Sequence, residues 1–179
     1  MRSLKESILS ITKVGRFDEW TQFKSKYRHP NNRDELEDII EAAIRLKGPN
    51  VDLNWIDTSA IKNMTSVFRF SKFNGDISEW DVSNVVDMSY MFCDSAFNGD
   101  ISKWNVSKVS DMECMFRNSE FNGDISKWDV SNVFYMEQMF KKAKFNRDIS
   151  RWDVSNVWDM NSMFKDSPLE KNPPKWYKK

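Results

Sequence analysis

Residues 73–96 read FNGDISEWDVSNVVDMSYMFCDSA, and this pattern returns every 24 residues along most of the chain. A period of this length is typical of repeat proteins, in which each unit buries its apolar face only against its neighbours. We therefore predict five stacked coils, with a degenerate first copy, PNVDLNWIDTSAIKNMTSVFRFSK. Coils one to five are residues 49–72, 73–96, 97–120, 121–144 and 145–168.

Within one coil, the apolar residues change their spacing from two to three and four. Trp80 and Val82 alternate with polar residues, which predicts a short strand with one buried face. Residues 85–92 place apolar side chains three and four apart, as a short helix or 3-10 turn would. The Phe-Asn-Gly-Asp stretch that opens the coil is typical of a turn. The predicted fold class is thus an α/β repeat, with a strand, a turn, a short helix and a turn in each coil.

The motif FNGDIS-x-W-[DN]-VS-x-V-x-x-M-x-x-MF resembles the repeats of the BspA-like leucine-rich-repeat family, a bacterial family of unknown function, over residues 51–168. The resemblance implies a right-handed solenoid in which Ile-x-x-Trp-x-Val replaces the Leu-x-x-Leu-x-Leu of ordinary leucine-rich repeats. It also implies bacterial surface proteins with adhesive roles, and related repeats that spread on mobile elements.

Residues 1–48 are expected to form a helical N-terminal cap, because the terminal coils of a repeat stack expose apolar core. Ser3 and Glu6 form a capping-box pattern for a first helix with Leu4, Ile8 and Ile11 on one face. A second helix is predicted from Arg33 to Lys47, with Asn32 as its N-cap and Gly48 at its end. Its apolar stripe consists of Leu36, Ile39, Ile40, Ala43 and Ile44.

The other end of the array is a basic segment, residues 169–179. It can fold over the last coil with Trp176 as the plug, or it can extend freely into solvent. If the last coil is left uncapped, two copies of the chain could stack there as a homodimer.

The charge and the cysteine content exclude several classes of protein. The chain holds 27 basic and 27 acidic residues, and residues 51–164 hold 12 basic and 17 acidic ones. An acidic array disfavours a groove that follows nucleic-acid phosphates. No run of about 18 apolar residues predicts a membrane span. The spacing of Cys93 and Cys114 suits neither a metal site nor a disulfide framework, so two buried thiols are expected.

The N-terminus also bears on the location of the protein. No apolar stretch of signal-peptide length follows Met1. We therefore expect a cytoplasmic protein, or a protein of the extracellular surface if a leader has been removed.

Positions that do not vary between coils are interpreted as architecture. An aspartate column (Asp52, Asp76, Asp100, Asp124, Asp148) and a serine column (Ser59, Ser83, Ser107, Ser131, Ser155) repeat in every coil. A row of carboxylates could bind calcium. The alternative is that each aspartate accepts hydrogen bonds from nearby amides of its turn, and that the serines form a hydrogen-bond ladder.

No arrangement of residues predicts catalysis. His29 is the one histidine of the chain, and the sequence contains no Gly-rich phosphate loop, no Ser-His-Asp set and no cluster of metal ligands. We therefore expect a protein that is not an enzyme and that carries no cofactor and no metal.

Positions that vary between coils are where a binding surface can be placed on a constant frame. One column ends in Lys103, Lys127 and Arg151, a basic stripe that could instead be a solvated face with balanced charges. Another column reads Lys62, Val86, Ser110, Phe134 and Trp158, and Tyr135 replaces an aspartate beside it. Exposed aromatics are common anchors of protein interfaces. The alternative is that these aromatics pack against the C-terminal segment.

These observations favour a protein that binds another protein through its C-terminal coils. Phe134, Tyr135 and Trp158 would be the apolar anchors, while Lys103, Lys127 and Arg151 would set the electrostatic register. A product of a mobile element or phage that modulates or inhibits a host protein would fit this interpretation. The alternatives are a fragment of a cell-surface adhesin, and a binder of single-stranded nucleic acid stacked on the aromatics.

Overall fold

The structure, a computed structural model, describes residues 17–178. Two α-helices, α1 (Phe17–Lys26) and α2 (Arg33–Lys47), precede the repeats, and a short 3-10 helix, Pro168–Glu170, follows them. Turns and isolated parallel bridges make up the region between α2 and the 3-10 helix.

Helix α2 forms where the sequence predicts it. The side chain of Asn32 accepts a hydrogen bond of 3.0 Å from the amide of Glu35, which satisfies one of the free donors of the first turn. At the other end, the amide of Gly48 donates to Ile44 at 2.7 Å, and Gly48 has φ 87°, a backbone angle that glycine adopts at little cost. The apolar stripe of the helix is buried except for Ile44, which is partly buried. The prediction of this helix is confirmed.

Helix α1 is an element that the sequence analysis did not predict. The helix expected around Leu4, Ile8 and Ile11 lies outside the described residues. Two aromatic residues of α1, Trp20 and Phe23, pack on Trp55 of coil one, with ring centroids 5.7 and 5.8 Å away. The amide of Asp57 also donates to the carbonyl of Arg28 at 2.8 Å. The segment around α1 therefore covers the first coil.

Consecutive repeats stack in register. Parallel bridges join residues 24 positions apart along one line through the coils, at Asn63, Asp87, Asp111, Tyr135 and Asp159. After each bridge, every second amide donates to a carbonyl of the next coil, as Met88 does to Asp111 at 3.0 Å. The intervening amides bond within their own coil, as Met91 does to Met88 at 3.2 Å.

This alternation replaces the short helix that we predicted over residues 85–92. A helix needs its own carbonyls for its amides, whereas here half of the amides bond to the neighbouring coil. The segment instead forms consecutive turns whose third residue has positive φ, for example Tyr90 at 58° and Asp94 at 56°. These angles are characteristic of type II turns. The helix prediction inside the coil is wrong for this reason.

The predicted strand around Trp80 and Val82 is also absent from the described coil. The amides of Trp80 and Val85 close turns onto Ile77 and Val82, at 3.2 and 2.9 Å, and the parallel pairing occurs later, at Asp87. Alternation of apolar and polar residues does not distinguish a strand from a turn whose side chains alternate in and out. The right-handed, leucine-rich-repeat class of the stack stays a prediction.

Aromatic columns fill the core between coils. One column of buried phenylalanines runs through the stack with near-parallel rings, for example Phe92 and Phe116, whose centroids lie 5.6 Å apart. In a second column, each tryptophan indole donates to a carbonyl of the preceding coil, as Trp104 does to Ile77 at 3.1 Å. Each coil therefore completes the core of its neighbour, which is why no single coil could be stable alone.

The C-terminal segment folds over the last coil, which confirms the first of the two predicted alternatives. Trp176 donates its indole N–H to the carbonyl of Ile149 at 3.0 Å, and its ring lies 6.5 Å from that of Trp152. The ring of Tyr177 packs edge-on against Phe164 at 4.9 Å. Residues 169–178 thus continue the stack as a partial sixth coil.

Candidate protein-binding site

The aromatic site lies on a hydrogen-bonded line of backbone that crosses all five coils. The amide of Trp158 donates to the carbonyl of Phe134 at 2.9 Å, and Phe134 donates to Ser110 at 2.9 Å. The same bond joins Ser110 to Val86 at 2.8 Å. Because parallel backbones lie about 4.8 Å apart in this direction, side chains of one column in neighbouring coils lie side by side.

Three predicted anchor residues come together on this line. The ring of Trp158 lies 4.8 Å from that of Phe134, at an interplanar angle of 36°. It meets the ring of Tyr135 edge-on at 6.0 Å. Trp158 is 74% exposed and Tyr135 41%, while Phe134 is partly buried. We call Phe134, Tyr135 and Trp158 the aromatic cluster.

The C-terminal segment does not cover the aromatic cluster. Trp176 and Tyr177 pack on Trp152 and Phe164, which belong to the interior of the last coil. The large exposed fraction of Trp158 is inconsistent with a covering segment. The alternative in which the aromatics pack against the segment is therefore wrong.

Carboxylates border the aromatic cluster, because Tyr135 stands in a column that holds Asp87, Asp111 and Asp159 in other coils. Burial raises the pKa of the Asp111 carboxyl, and the charges of Asp87 and Glu113 raise it further. A neutral tyrosine at position 135 interrupts this row, so that Asp111 and Asp159 each have one fewer carboxylate beside them.

The predicted basic residues lie apart from the aromatic cluster. All three are exposed, and Lys103 forms an ion pair of 3.7 Å with Glu79. Lys127 and Arg151 line an open recess together with Asp124 and Asp148. Across residues 17–178, neither a hydrogen bond nor an ion pair nor a ring contact joins Lys103, Lys127 or Arg151 to the aromatic cluster. Acidic residues therefore lie near all three members of the basic stripe, and Arg147 adds a third basic residue to the recess.

The aspartate column serves the turns of the coils. Each of its members accepts a hydrogen bond from the amide two residues later, as Asp76 does from Ser78 at 2.9 Å. These bonds hold the pKa of Asp76 below its ordinary value. The interpretation of the column as turn architecture is confirmed, with the same bond at Asp52, Asp100, Asp124 and Asp148.

The serine column bonds locally and does not form the ladder that we predicted. The hydroxyl of Ser131 donates to Asp129 in its own coil at 2.6 Å. Ser59 bonds to Asp57 in the same way, and Asp57 also lies 3.0 Å from the Nδ1 atom of His29. Within the described ranges, no group of three or more histidines, cysteines or acidic residues could hold a metal ion.

Phe70 in coil one is a further exposed aromatic residue, 68% exposed, which was not among the predicted anchors. The guanidinium of Arg69 lies 4.7 Å from the centroid of its ring and 5.1 Å from that of Tyr90. The signal was in the sequence, because the other coils hold polar residues in this column: Asp94, Asn118, Lys142 and Asp166.

The two thiols of the chain are buried and are not joined in a disulfide. Burial and the neighbouring Asp94 carboxylate raise the pKa of Cys93 to about 12. Burial also raises the pKa of Cys114. Neither thiol therefore has the lowered pKa of a reactive cysteine.

The part of the chain that the structure describes contains no helix both long and apolar enough to cross a bilayer.

Sequence comparison identifies a family over most of the chain. Residues 35–120 and, in a second match, residues 117–178 correspond to the family described as "Mycoplasma protein of unknown function, DUF285". No curated protein and no solved structure matches the chain. The two matched ranges together span α2 from its third residue, the repeats and the partial sixth coil.

Proposed function

The chain belongs to the DUF285 family of Mycoplasma-type tandem-repeat proteins, and from this premise we propose that it is a non-enzymatic module that binds another protein. The observation that carries the proposal is the exposure of the aromatic cluster. A tryptophan 74% exposed beside a second exposed aromatic ring is costly in water unless a partner covers it.

The position of the cluster supports a binding role. The core does not require large side chains there, because coils two and three hold Val86 and Ser110 in the column of Phe134 and Trp158. The backbone beneath the cluster is held by hydrogen bonds at 2.9 Å to the neighbouring coils. Little conformational entropy is therefore lost when a partner packs on these rings, which is the property of an interface anchor.

We assign the basic stripe a secondary part in this function. Lys103, Lys127 and Arg151 lie away from the aromatic cluster and have acidic residues near them. Exposed charges of this kind affect the rate and orientation of association more than its affinity. Nucleic acid is a poor candidate partner, because residues 51–164 hold more acidic than basic residues.

We further propose a cytoplasmic protein whose coils form a right-handed solenoid of the BspA-like, leucine-rich-repeat type. The recurring Ile-x-x-Trp-x-Val pattern and the in-register bridges support this class. The free thiols of Cys93 and Cys114 suit a reducing compartment. A protein that acts only by covering a partner's surface would modulate or inhibit that partner, as a mobile-element or phage product could do to a host protein.

The test is an affinity capture from bacterial lysate with three baits of verified fold. These are the wild-type chain, the double variant Phe134→Ala/Trp158→Ala, and the control Phe70→Ala, which removes an equally exposed aromatic ring elsewhere. We expect one protein to be retained by the wild type and the control and to be lost by the double variant. The captured protein is then purified, and its Kd for each bait is measured.

Loss of the two anchors should weaken binding by roughly 2 kcal/mol or more, about thirtyfold in Kd, because truncated interface anchors cost this much. Equal binding to the wild type and the double variant would rule out the aromatic cluster as the site. A partner lost only by the control would place the site at Phe70 instead.

A further inference from the structure

The backbone ladder that joins the coils ends at the fifth coil with unpaired groups. In coil two, the amides of Met88, Tyr90 and Phe92 donate to the next coil at 2.8 to 3.0 Å. The corresponding amides of coil five belong to Met160, Ser162 and Phe164, and among residues 17–178 they have no acceptor. The carbonyl of Trp158, whose counterparts each accept a bond from the next coil, likewise has no donor in the described chain.

The three residues with unpaired amides line an open recess of about 280 Å³. Lys165, Glu170, Tyr177 and Lys178 also line it. The partial sixth coil contributes Tyr177 and Lys178 to the lining of this recess but accepts no hydrogen bond from the three amides.

The opposite end of the ladder differs. There the guanidinium of Arg33, at the start of α2, donates to the carbonyl of Thr65 in coil one at 2.6 Å. In coil two, the corresponding carbonyl, that of Ser89, accepts its bond from Ser66 of the preceding coil. A side chain of the cap thus replaces a preceding coil at the N-terminal end of the ladder, whereas the described C-terminal segment supplies no acceptor for the ladder amides of coil five.

We propose that this C-terminal edge binds a peptide segment of a partner protein, which takes the turn conformation of a coil and adds to the stack as the backbone of a further coil would. The pattern of free groups sets the polarity of the segment. One residue donates its amide to Trp158, and the carbonyls of the first, third and fifth residues after it accept from Met160, Ser162 and Phe164. This is the register that the preceding coils use. The segment therefore runs parallel to coil five, and its affinity comes from main-chain hydrogen bonds.

A second copy of the chain is a poorer occupant than a peptide. Two copies that meet through their last coils would place unpaired amides opposite unpaired amides, and donors cannot bond to donors. Head-to-tail stacking is hindered because Arg33 already occupies the Thr65 carbonyl at the other end. The lining of the recess favours an acidic segment, because it holds two lysines, Lys165 and Lys178, and one acidic residue, Glu170.

This edge binding goes beyond the proposed function and does not rest on it, because it uses backbone atoms and leaves the aromatic side chains free. The probe is a synthetic peptide of residues 85–95, VVDMSYMFCDS, with serine in place of Cys93. In the intact chain this stretch already forms the same set of hydrogen bonds with coil one. The amide of Val86 donates to Lys62, and three later carbonyls accept from coil one, those of Asp87, Ser89 and Met91. The stretch is also acidic, with Asp87 and Asp94.

The measurement is amide hydrogen exchange by NMR on the full chain, with and without the peptide. In the free chain we expect fast exchange at Met160, Ser162 and Phe164, and slow exchange at their counterparts Met136, Gln138 and Phe140. The peptide should slow hydrogen exchange at the three edge amides by roughly tenfold or more, because a bound segment protects the amides that it pairs with. The variant Phe134→Ala/Tyr135→Ala, which changes no residue of the edge, should keep this protection, and this separates the edge from the aromatic cluster.

Two modified peptides serve as matched controls. N-methylation of Val86 removes the amide that pairs with Trp158 and should reduce the protection, whereas N-methylation of Met88, on the outward edge, should not. Slow exchange of the three edge amides in the free chain at every protein concentration would overturn the proposal. Peptide binding that leaves those amides unprotected would also overturn it. Protection that grows with protein concentration, without peptide, would identify a second copy as the occupant and overturn the peptide proposal.

Discussion

The indole N–H of Trp176 donates a hydrogen bond to the carbonyl oxygen of Ile149 at 3.0 Å. Trp152 bonds to Ile125 in the same way at 3.1 Å, one coil earlier. A residue of the C-terminal segment therefore takes the position that the tryptophan of a sixth coil would have. The segment closes the apolar core of coil five without adding a complete coil.

Removal of this closing residue should destabilise the array from its C-terminal end. Trp176→Ala is expected to lower the free energy of unfolding by about 2–4 kcal/mol, because a large, partly buried ring and its partly buried hydrogen bond are both lost. Trp176→Phe keeps a ring and should cost about 1 kcal/mol for the lost bond. Urea unfolding of the two variants measures both values, and equal stability of Trp176→Ala and wild type would show that the segment does not cap the stack.

Gly75, Gly99 and Gly123 occupy one column of the repeat, and alanine in this column should destabilise the fold by an amount that depends on the coil. A Cβ atom at Gly75 would lie 2.0 Å from the carbonyl oxygen of Val51, whereas at Gly123 its nearest neighbours are ring atoms of Phe121 at 2.8 Å. Gly75→Ala should therefore destabilise the chain by about 2–3 kcal/mol, since a backbone atom cannot move aside as a ring can. Gly123→Ala is the matched control, with a smaller loss. Thermal unfolding compares the two, and a reversed order would contradict the packing described at Val51.

The aspartates of the coils predict an acid-sensitive fold. Hydrogen bonds from Ser83 and Ser131 hold the pKa values of Asp81 and Asp129 below their ordinary value. A carboxyl whose pKa is lower in the folded chain stabilises the fold above its unfolded pKa, about 3.9, and loses that contribution as the pH falls through the folded value. The urea midpoint should therefore be constant near neutral pH and should fall below about pH 4.

A natural substitution provides the control for this pH dependence. Asn105 occupies the position of Asp81 and Asp129 in coil three, and it accepts the same bonds from the amide and hydroxyl of Ser107. The double variant Asp81→Asn/Asp129→Asn should keep these turns and show a smaller loss of stability at low pH. An unchanged pH dependence would mean that other carboxyls cause the acid sensitivity.

The buried thiols should be unreactive while the chain is folded. At pH 8, Cys93 with a pKa of about 12 holds almost none of the reactive thiolate. Its modification by a disulfide reagent should be at least about a hundredfold slower than that of free cysteine, and urea should restore the rate. The variant Cys114→Ser isolates the signal of Cys93. Rapid modification in the folded chain would show that this side chain is accessible to solvent.

Much of the architecture could be predicted because the repeat supplies the same information five times. The period, the helix from Arg33 to Lys47 and the turn role of the aspartate column all follow from residue types at constant spacing. The structure of a single coil could not be predicted in the same way. The spacing of Val85, Met88 and Met91 fits a helix and also fits turns whose alternate amides bond to the next coil.

The candidate site likewise has features that are visible in the sequence and features that depend on packing between coils. The replacement of small or polar residues by Phe134, Tyr135 and Trp158 is visible in the sequence, and so is that of polar residues by Phe70. The contact between the rings of Phe134 and Trp158, and the separation of both from Lys127, depend on how the coils pack and are not visible in the sequence. The unpaired amides at Met160, Ser162 and Phe164 have no sequence signature, because every coil has the same donors.

The 24-residue repeat and its constant columns are properties of the amino-acid sequence alone, because local residue chemistry and periodicity do not depend on long-range contacts. Which side chains are covered and which backbone groups are left unpaired depends on tertiary packing. Partial burial of Trp176 and exposure of Trp158 result from packing between segments, and two tryptophans of one sequence cannot be distinguished until those segments meet.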